Sequence, residues 1–233
     1  MVAGLVARGG AWAGIAGPGL FTGAWLVSSL RQTGYPATDI QISGLAAPDA
    51  RDPWIMIAGF LALGGCSVAF GAALHDALGS RGQAGPAPRL IQGAGVLTIA
   101  AGLLRRDHML LTSGSASWHN HAHDVISAVI YADLIVAQLV LARRFGRDPA
   151  DPGPARPGWR RWRPWLLASA GVTAGLLAAF TADISAPDAG ILQRAAVTVP
   201  LAAIAAIAIR LAKGPGQPAG YPARPVRTAE TDG

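Results

Sequence analysis

The chain has 233 residues, of which 52% are hydrophobic and only 14% charged, and its formal net charge is +6. Soluble domains carry about 25% charged residues, so this composition excludes an ordinary soluble protein and indicates a membrane protein. The single cysteine, Cys66, excludes an intrachain disulfide and a cysteine-built zinc site. The arginines lie beside apolar runs, which indicates membrane topology and argues against a nucleic-acid partner.

Six apolar runs match or approach the roughly 20 residues that a helix needs to cross a bilayer. In chain order they are Trp12–Leu30, Trp54–Leu78, Leu90–Leu104, Ala122–Ala142, Pro164–Ala182 and Gly190–Leu211, the third being short. None alternates with the period of a barrel strand, and a backbone in lipid must satisfy its own polar groups. The sequence therefore predicts an all-α polytopic bundle of six transmembrane helices over residues 1–213 and a disordered cytoplasmic tail over 214–233.

The basic residues predict the direction of these spans, because lysine and arginine concentrate on the cytoplasmic side. With the N-terminus inside, most of the 19 basic residues fall in cytoplasmic segments, most densely between the fourth and fifth spans. The same assignment places Asp107, Asp124 and Asp183 at the outer end. We therefore expect both termini in the cytoplasm.

The outer end also holds the most polar motif, the run SWHNHAHD, which contains three of the five histidines. In a helix His119 and His123 share a face, whereas His121 lies about 200° from His119; an extended segment would align all three. Imidazole and carboxylate bind zinc, so His119, His123 and Asp107 are a candidate metal set. With Asp124 the same groups are candidates for acid/base chemistry. The alternative is a hydrated helix end without a ligand.

Polar residues continue along the fourth span at helical spacing and predict a stripe that faces the bundle. Its members are Asn120, Asp124, Ser127, Tyr131 and Gln138. Without a ligand, such a stripe would make interhelical hydrogen bonds worth about 1 kcal/mol each. Asp133 lies deep in the same span, where a carboxylate needs a partner or a proton.

Gln193 and Arg194 open the sixth span, and Arg194 lies on the outer side against the positive-inside trend. An ion pair with Asp107, Asp124 or Asp183 would explain this arginine; a bound anionic group is the alternative. Gln193, Arg194 and Asp183 are therefore the candidate ligand-binding residues.

Five fragments stand in the order of a known family: GPGLFTGAWLVSSLRQTGYPATDIQIS, PWIMIAGFLALGG, GLLRRDH, HNHAHDVISA and GILQRAAV. Over about Gly17–Leu211 the chain resembles the bacterial six-helix membrane family called domain of unknown function 998. The matching positions are Asp107, His119, His123, Asp124, Gln193 and Arg194. The resemblance implies the fold, a bacterial cytoplasmic membrane and an outer polar cluster, but no reaction.

Two functions stay open. A non-enzymatic protein would bind a lipid-like or small ligand through the outer cluster, with membrane lipids as further partners. An intramembrane hydrolase, transferase or cyclase would act on a lipid-like substrate, with His119 and His123 binding a metal such as zinc or carrying protons. In that enzyme Asp107 and Asp124 would serve as ligand or base, and Arg194 would hold an anionic group. A proton-coupled carrier using Asp133 is disfavoured, since the spans show no broken-helix repeats.

Overall fold

The structure is a computed structural model that describes residues 2–79, 85–110, 116–146 and 159–213, with only the backbone for residues 2–8. The described residues form helices and no strand. The helices are α1 (Val2–Arg31), α2 (Pro53–Leu78), α3 (Ala87–Leu103), α4 (Trp118–Phe145), α5 (Trp162–Ala182) and α6 (Ala189–Ala212). A short 3₁₀ helix, Ile42–Ala46, lies between α1 and α2. The predicted all-α class is confirmed, and the predicted tail at 214–233 lies outside the described residues.

Five helices in the described part of the chain are long and apolar enough to cross a membrane, which makes the chain a multi-pass membrane protein. They are α1 from Gly9 onward, α2, α4, α5 and α6. The helix α3 has 17 residues, about 25 Å at 1.5 Å per residue. That length falls short of the roughly 30 Å of hydrocarbon in a typical bilayer.

The helix α4 begins earlier than predicted, and it therefore includes the whole histidine run. The predicted span began at Ala122, whereas the helix begins at Trp118 with Ser117 as its N-cap. The Ser117 hydroxyl accepts a hydrogen bond from the backbone N–H of Asn120, which is the usual way to satisfy a free donor in the first turn. All three histidines of the run therefore lie on a helix, and the extended alternative is wrong.

The helices pack in a ring in chain order, and contact between α1 and α6 closes it. Close approaches at glycines show that α2 and α3 run antiparallel. A Cβ on Gly64 would lie 2.5 Å from the Gly95 carbonyl oxygen, and one on Gly102 would lie 2.6 Å from the Phe60 Cβ. The connection between α1 and α2 folds over one end of this ring. Its residues 34–46 are called the cap segment below, and that end of the bundle the cap end.

Candidate functional site

Arg194 fastens the cap segment to α6. Its Nη1 donates hydrogen bonds to the carbonyl oxygens of Ile40, at 2.8 Å, and Gly190, at 2.9 Å, while Nη2 donates to the Tyr35 hydroxyl at 2.7 Å. The guanidinium also lies 5.4 Å from the ring centre of Trp25. Burial raises the pKa of Tyr35 although Arg194 beside it acts in the opposite direction, so the phenol stays neutral. Arg194 thus bonds three oxygen atoms and lies beside the rings of Trp25 and Tyr35.

The expected ion pair of Arg194 with an outer aspartate is therefore wrong. Among the described residues, Asp107, Asp124 and Asp183 all have other hydrogen-bond partners and none pairs with this guanidinium. The physical reason is that other oxygens occupy the Nη donors that an aspartate would have used. They are the carbonyl of Ile40 in the cap segment, the carbonyl of Gly190 in α6 and the Tyr35 hydroxyl.

Further contacts hold the cap segment against the bundle. The side-chain oxygen of Gln193 accepts from the backbone N–H of Ile42 at 2.6 Å. The backbone N–H of Ile191 donates to the Thr38 carbonyl at 2.9 Å. Arg106, which is buried, hydrogen-bonds the side chain of Gln41. The cap segment is therefore anchored to α6 and to the residues that follow α3.

Asp107 positions the start of α4. Its carboxylate accepts from the backbone N–H of Ser117 at 2.7 Å and from the Ser117 hydroxyl at 2.5 Å. These two bonds hold the pKa of the Asp107 carboxyl below its usual range, mainly because they stabilise the charged form. Asp107 therefore fastens the N-cap residue of α4.

Two more of the predicted polar residues, His119 and Asp124, lie near Asp107 around the start of α4. His119 is exposed, with Nδ1 3.3 Å from the Ser117 hydroxyl and its ring stacked on Trp118. Asp124 is exposed and accepts from the Asn120 amide at 3.0 Å. Asp183 accepts from the Ser185 hydroxyl and is exposed as well. Ser117 therefore links Asp107 to His119, and the Asn120 side chain lies between the Asp107 backbone and Asp124. Gln193 and Arg194 bond the cap segment instead.

The three residues of the predicted metal set do not come together as ligands in the described structure. Within the described ranges, no group of three or more His, Cys, Asp or Glu side chains could hold a metal ion. His119 lies outside the bundle and His123 inside it, while the Asp107 carboxylate is occupied by Ser117. The geometry therefore offers no support for zinc bound by His119, His123 and Asp107.

His123 is buried at the end of α3, with 2% of its surface exposed. Its Nδ1 lies 2.9 Å from the carbonyl oxygens of both Ala101 and Leu104. Carbonyls at a helix C-terminus lack intrahelical partners, so the imidazole satisfies acceptors that would otherwise be left open. Because carbonyls only accept, Nδ1 must carry a hydrogen, and in the neutral ring Nε2 is a bare acceptor.

A cavity of about 80 Å³ lies between the helices next to His123, and the cap segment forms part of its wall. Most of its lining is apolar and includes Phe21, Phe60, Leu63 and Leu201. The polar side chains in the lining are Ser43, Ser67, Thr98, His123, Ser127, Tyr131 and Gln193. None of the lining residues is charged.

Several of these polar groups have no protein partner. Thr98 donates to its own helix, at the Ala94 carbonyl, and Gln193 uses its side-chain oxygen on the cap segment. The hydroxyls of Ser127 and Tyr131, in contrast, make no hydrogen bond with any described part of the chain. A site with apolar walls and a few free polar groups has the composition typical of a small-molecule pocket.

The predicted stripe on α4 is largely confirmed. Asn120 and Gln138 are buried, and Ser127 and Tyr131 line the cavity. The exception is Asp124, which is exposed; His123 takes its place on the inner face. The spacing of 123, 127 and 131 at i, i+4 and i+8 was the signal that could have shown this.

Asp133 has a different environment from that stripe. One of its carboxylate oxygens lies 3.4 Å from the position that a Cβ on Gly93 would occupy, so the side chain lies beside α3. It makes no hydrogen bond or ion pair within the described part of the protein. The structure thus supplies no partner for a carboxylate placed near the middle of α4.

Comparison with known proteins agrees with the sequence resemblance. The model of the family described as "Protein of unknown function (DUF998)" matches residues 15–210. No curated protein and no solved structure matches the chain. The family match covers both the helices that line the cavity and the cap segment with its Arg194 anchor. The chain therefore belongs to the domain of unknown function 998 family of proteins.

Proposed function

We propose that this protein binds a small lipid-like molecule in the cavity beside the cap segment. The observation that carries the proposal is a mainly apolar cavity lined by Ser127 and Tyr131, whose hydroxyls have no partner in the described protein. Unpartnered hydroxyls on the wall of an apolar cavity favour a ligand or an ordered water that bonds to them.

The size of the cavity limits what it holds. At about 80 Å³ it is larger than a single water requires, which is about 10–15 Å³ by this measure. It is smaller than the 150 Å³ or so of an engineered cavity that binds benzene. We therefore propose that it holds the polar head and first carbons of a lipid-like molecule, with the remaining chain leaving through its open side.

We further propose that all six helices cross a bacterial cytoplasmic membrane, with both termini inside and the cap end outside. The contacts of the short helix α3 support this count. Its end at Ala101 meets His123 near the start of α4, and its Gly93 meets Asp133 near the middle. The helix α3 therefore packs along both α2 and α4 at the same depth in the bundle, although it is shorter than they are.

Cysteine labelling tests this topology. In a Cys66→Ala background, we expect Ser185→Cys, between α5 and α6, to react with a membrane-impermeant maleimide in intact bacterial cells. Lys213→Cys, just after α6, should react only after the inner membrane is permeabilised. Both positions are exposed in the folded chain. Labelling of Lys213→Cys in intact cells would contradict the proposed orientation.

A single substitution tests ligand binding. Ser127→Leu adds an apolar group to the cavity and removes one of its free hydroxyls. Lipid that co-purifies with the protein, measured by mass spectrometry of solvent extracts, should fall by about tenfold, the equivalent of about 1.4 kcal/mol of binding free energy.

The matched control is Ala128→Leu, which adds a similar group to the next residue of α4, where the side chain is exposed. This variant should retain the lipid at the wild-type level. Both proteins must elute as the wild type does in size-exclusion chromatography. Equal lipid in the wild type and the Ser127→Leu protein would contradict binding in this cavity.

A further inference from the structure

We infer that the cavity selects a neutral lipid alcohol, whose hydroxyl donates a hydrogen bond to Nε2 of His123. This inference rests on the proposed function and adds a chemical class of ligand to it. Three observations carry it: the absence of charge in the lining, the orientation of the His123 hydrogen, and the hydroxyls on the same face of α4.

The lining excludes a charged headgroup. None of the side chains around the cavity is an arginine, lysine, aspartate or glutamate. Arg194, the outer-side cation that could have held an anion, does not line the cavity, and its Nη atoms donate to the cap segment and to α6. A phosphate or carboxylate in this cavity would be buried without a counter-charge, at a large cost in free energy.

His123 offers an acceptor to the cavity. Its Nδ1 hydrogen is shared between the carbonyls of Ala101 and Leu104, which fixes the ring against the end of α3. No carboxylate among the described residues hydrogen-bonds to this buried ring, so the neutral form is the one expected in its apolar surroundings. Nε2, which has no hydrogen-bond partner in the described protein, is then an acceptor available to a ligand hydroxyl.

The polar groups around the cavity can pair with a ligand hydroxyl that acts both as a donor and as an acceptor. Ser127 is four residues from His123 on the same face of α4, about 6 Å further along the helix axis. A ligand hydroxyl that donates to His123 still has lone pairs that can accept from a serine hydroxyl or an amide N–H. An ether or ester of the same size can only accept, which would leave Nε2 unpaired.

The apolar part of the ligand has a wall to lie against. Phe60 packs edge-on to the His123 ring, with ring centres 6.2 Å apart, and Phe21 packs edge-on to Phe60. Further along the cavity, Leu134 and Leu201 continue the apolar surface. A molecule with a hydroxyl at one end and hydrocarbon behind it therefore matches the order of groups along α4.

The test compares three probes with the same twelve-carbon chain: 1-dodecanol, dodecyl methyl ether and dodecanoate. Binding to the purified full chain in detergent is measured by native mass spectrometry over a concentration series. We expect 1-dodecanol to bind about tenfold more tightly than either other probe, since an unmade hydrogen bond to a buried acceptor costs roughly that factor.

Two substitutions of His123 separate the ligand acceptor from the contact with α3. Asparagine places its amide nitrogen near the position of Nδ1, so His123→Asn keeps the bonds to Ala101 and Leu104 and lacks the Nε2 acceptor. Glutamine places its amide near the position of Nε2, so His123→Gln keeps an acceptor there and loses the α3 contact. We expect the preference for alcohol over ether to vanish in His123→Asn and to persist in His123→Gln, which should be the less stable protein.

The outcomes separate this inference from the proposed function. An equal affinity for alcohol and ether, tighter binding of dodecanoate, or an unchanged preference in His123→Asn would overturn the inference while a lipid-like ligand still binds. If no probe binds and Ser127→Leu also retains the co-purified lipid, the cavity holds only water and the proposed function itself fails.

Discussion

Replacing Arg194 with lysine is expected to destabilise the protein almost as much as replacing it with alanine, by about 2–4 kcal/mol in the free energy of unfolding. The reason is the geometry of the guanidinium. Its two Nη atoms reach the carbonyls of Ile40 and Gly190 and the Tyr35 hydroxyl together, at 2.7–2.9 Å. A lysine ammonium is a single point that cannot reproduce this planar fork.

The measurement is a titration of the purified protein with sodium dodecyl sulfate, followed by circular dichroism. Hydrogen exchange gives a local readout: the Ile42 amide, which donates to Gln193, should exchange faster in both variants because the cap segment is loosened. Arg31→Ala serves as the control. Arg31 pairs with Asp52 at 2.6 Å while 47% exposed, and such surface pairs contribute about 1 kcal/mol at most. A lysine variant as stable as the wild type would refute the role of Arg194 as the anchor.

Adding one methyl group at Gly64 is expected to destabilise the bundle, whereas adding one at Gly65 is not. A Cβ at Gly64 would lie 2.5 Å from both the Gly95 carbonyl oxygen and the Ile99 Cγ1, so α2 and α3 would have to move apart. Overpacking of this kind costs about 1–3 kcal/mol. Small residues allow such close helix approaches in membranes, where packing rather than a hydrophobic driving force holds helices together.

The neighbouring residue supplies the control. A Cβ at Gly65 would have nothing within 4 Å among the described atoms, and alanine favours a helix over glycine by up to about 1 kcal/mol. Gly65→Ala should therefore unfold at the wild-type detergent concentration or above it. If Gly64→Ala and Gly65→Ala have the same stability, the close crossing of α2 and α3 is not present in the membrane protein.

The face that α4 turns to the bundle shows how far a pattern of residues can predict a site. Ser127 and Tyr131 define an inner face by their spacing, and either His123 or Asp124 could extend it, since both lie within about 60° of that face at 100° per residue. The predicted stripe contained Asp124. Packing against α3 selects His123, because open carbonyls at the end of that helix require a donor, which an ionised aspartate lacks.

The sequence by itself determined the class and the family of this protein. Long apolar runs in lipid must form helices, because only helices and closed barrels satisfy every backbone group internally, and this requirement acts within each run. The order of residues along the chain also predicted that a helix starts near the histidine run and that polar residues follow one face of this helix.

Only the tertiary structure decided which residues meet. Arg194 and Ile40 are 154 residues apart, and His123 and Ala101 are 22 apart; no local period encodes either contact. The predicted ion pair of Arg194 with an outer aspartate is replaced by bonds to Ile40 and Tyr35 of the cap segment, and a cavity without charge lies beside His123. Both depend on how six helices close into a ring, because that packing determines which polar groups find partners and which stay open for a ligand.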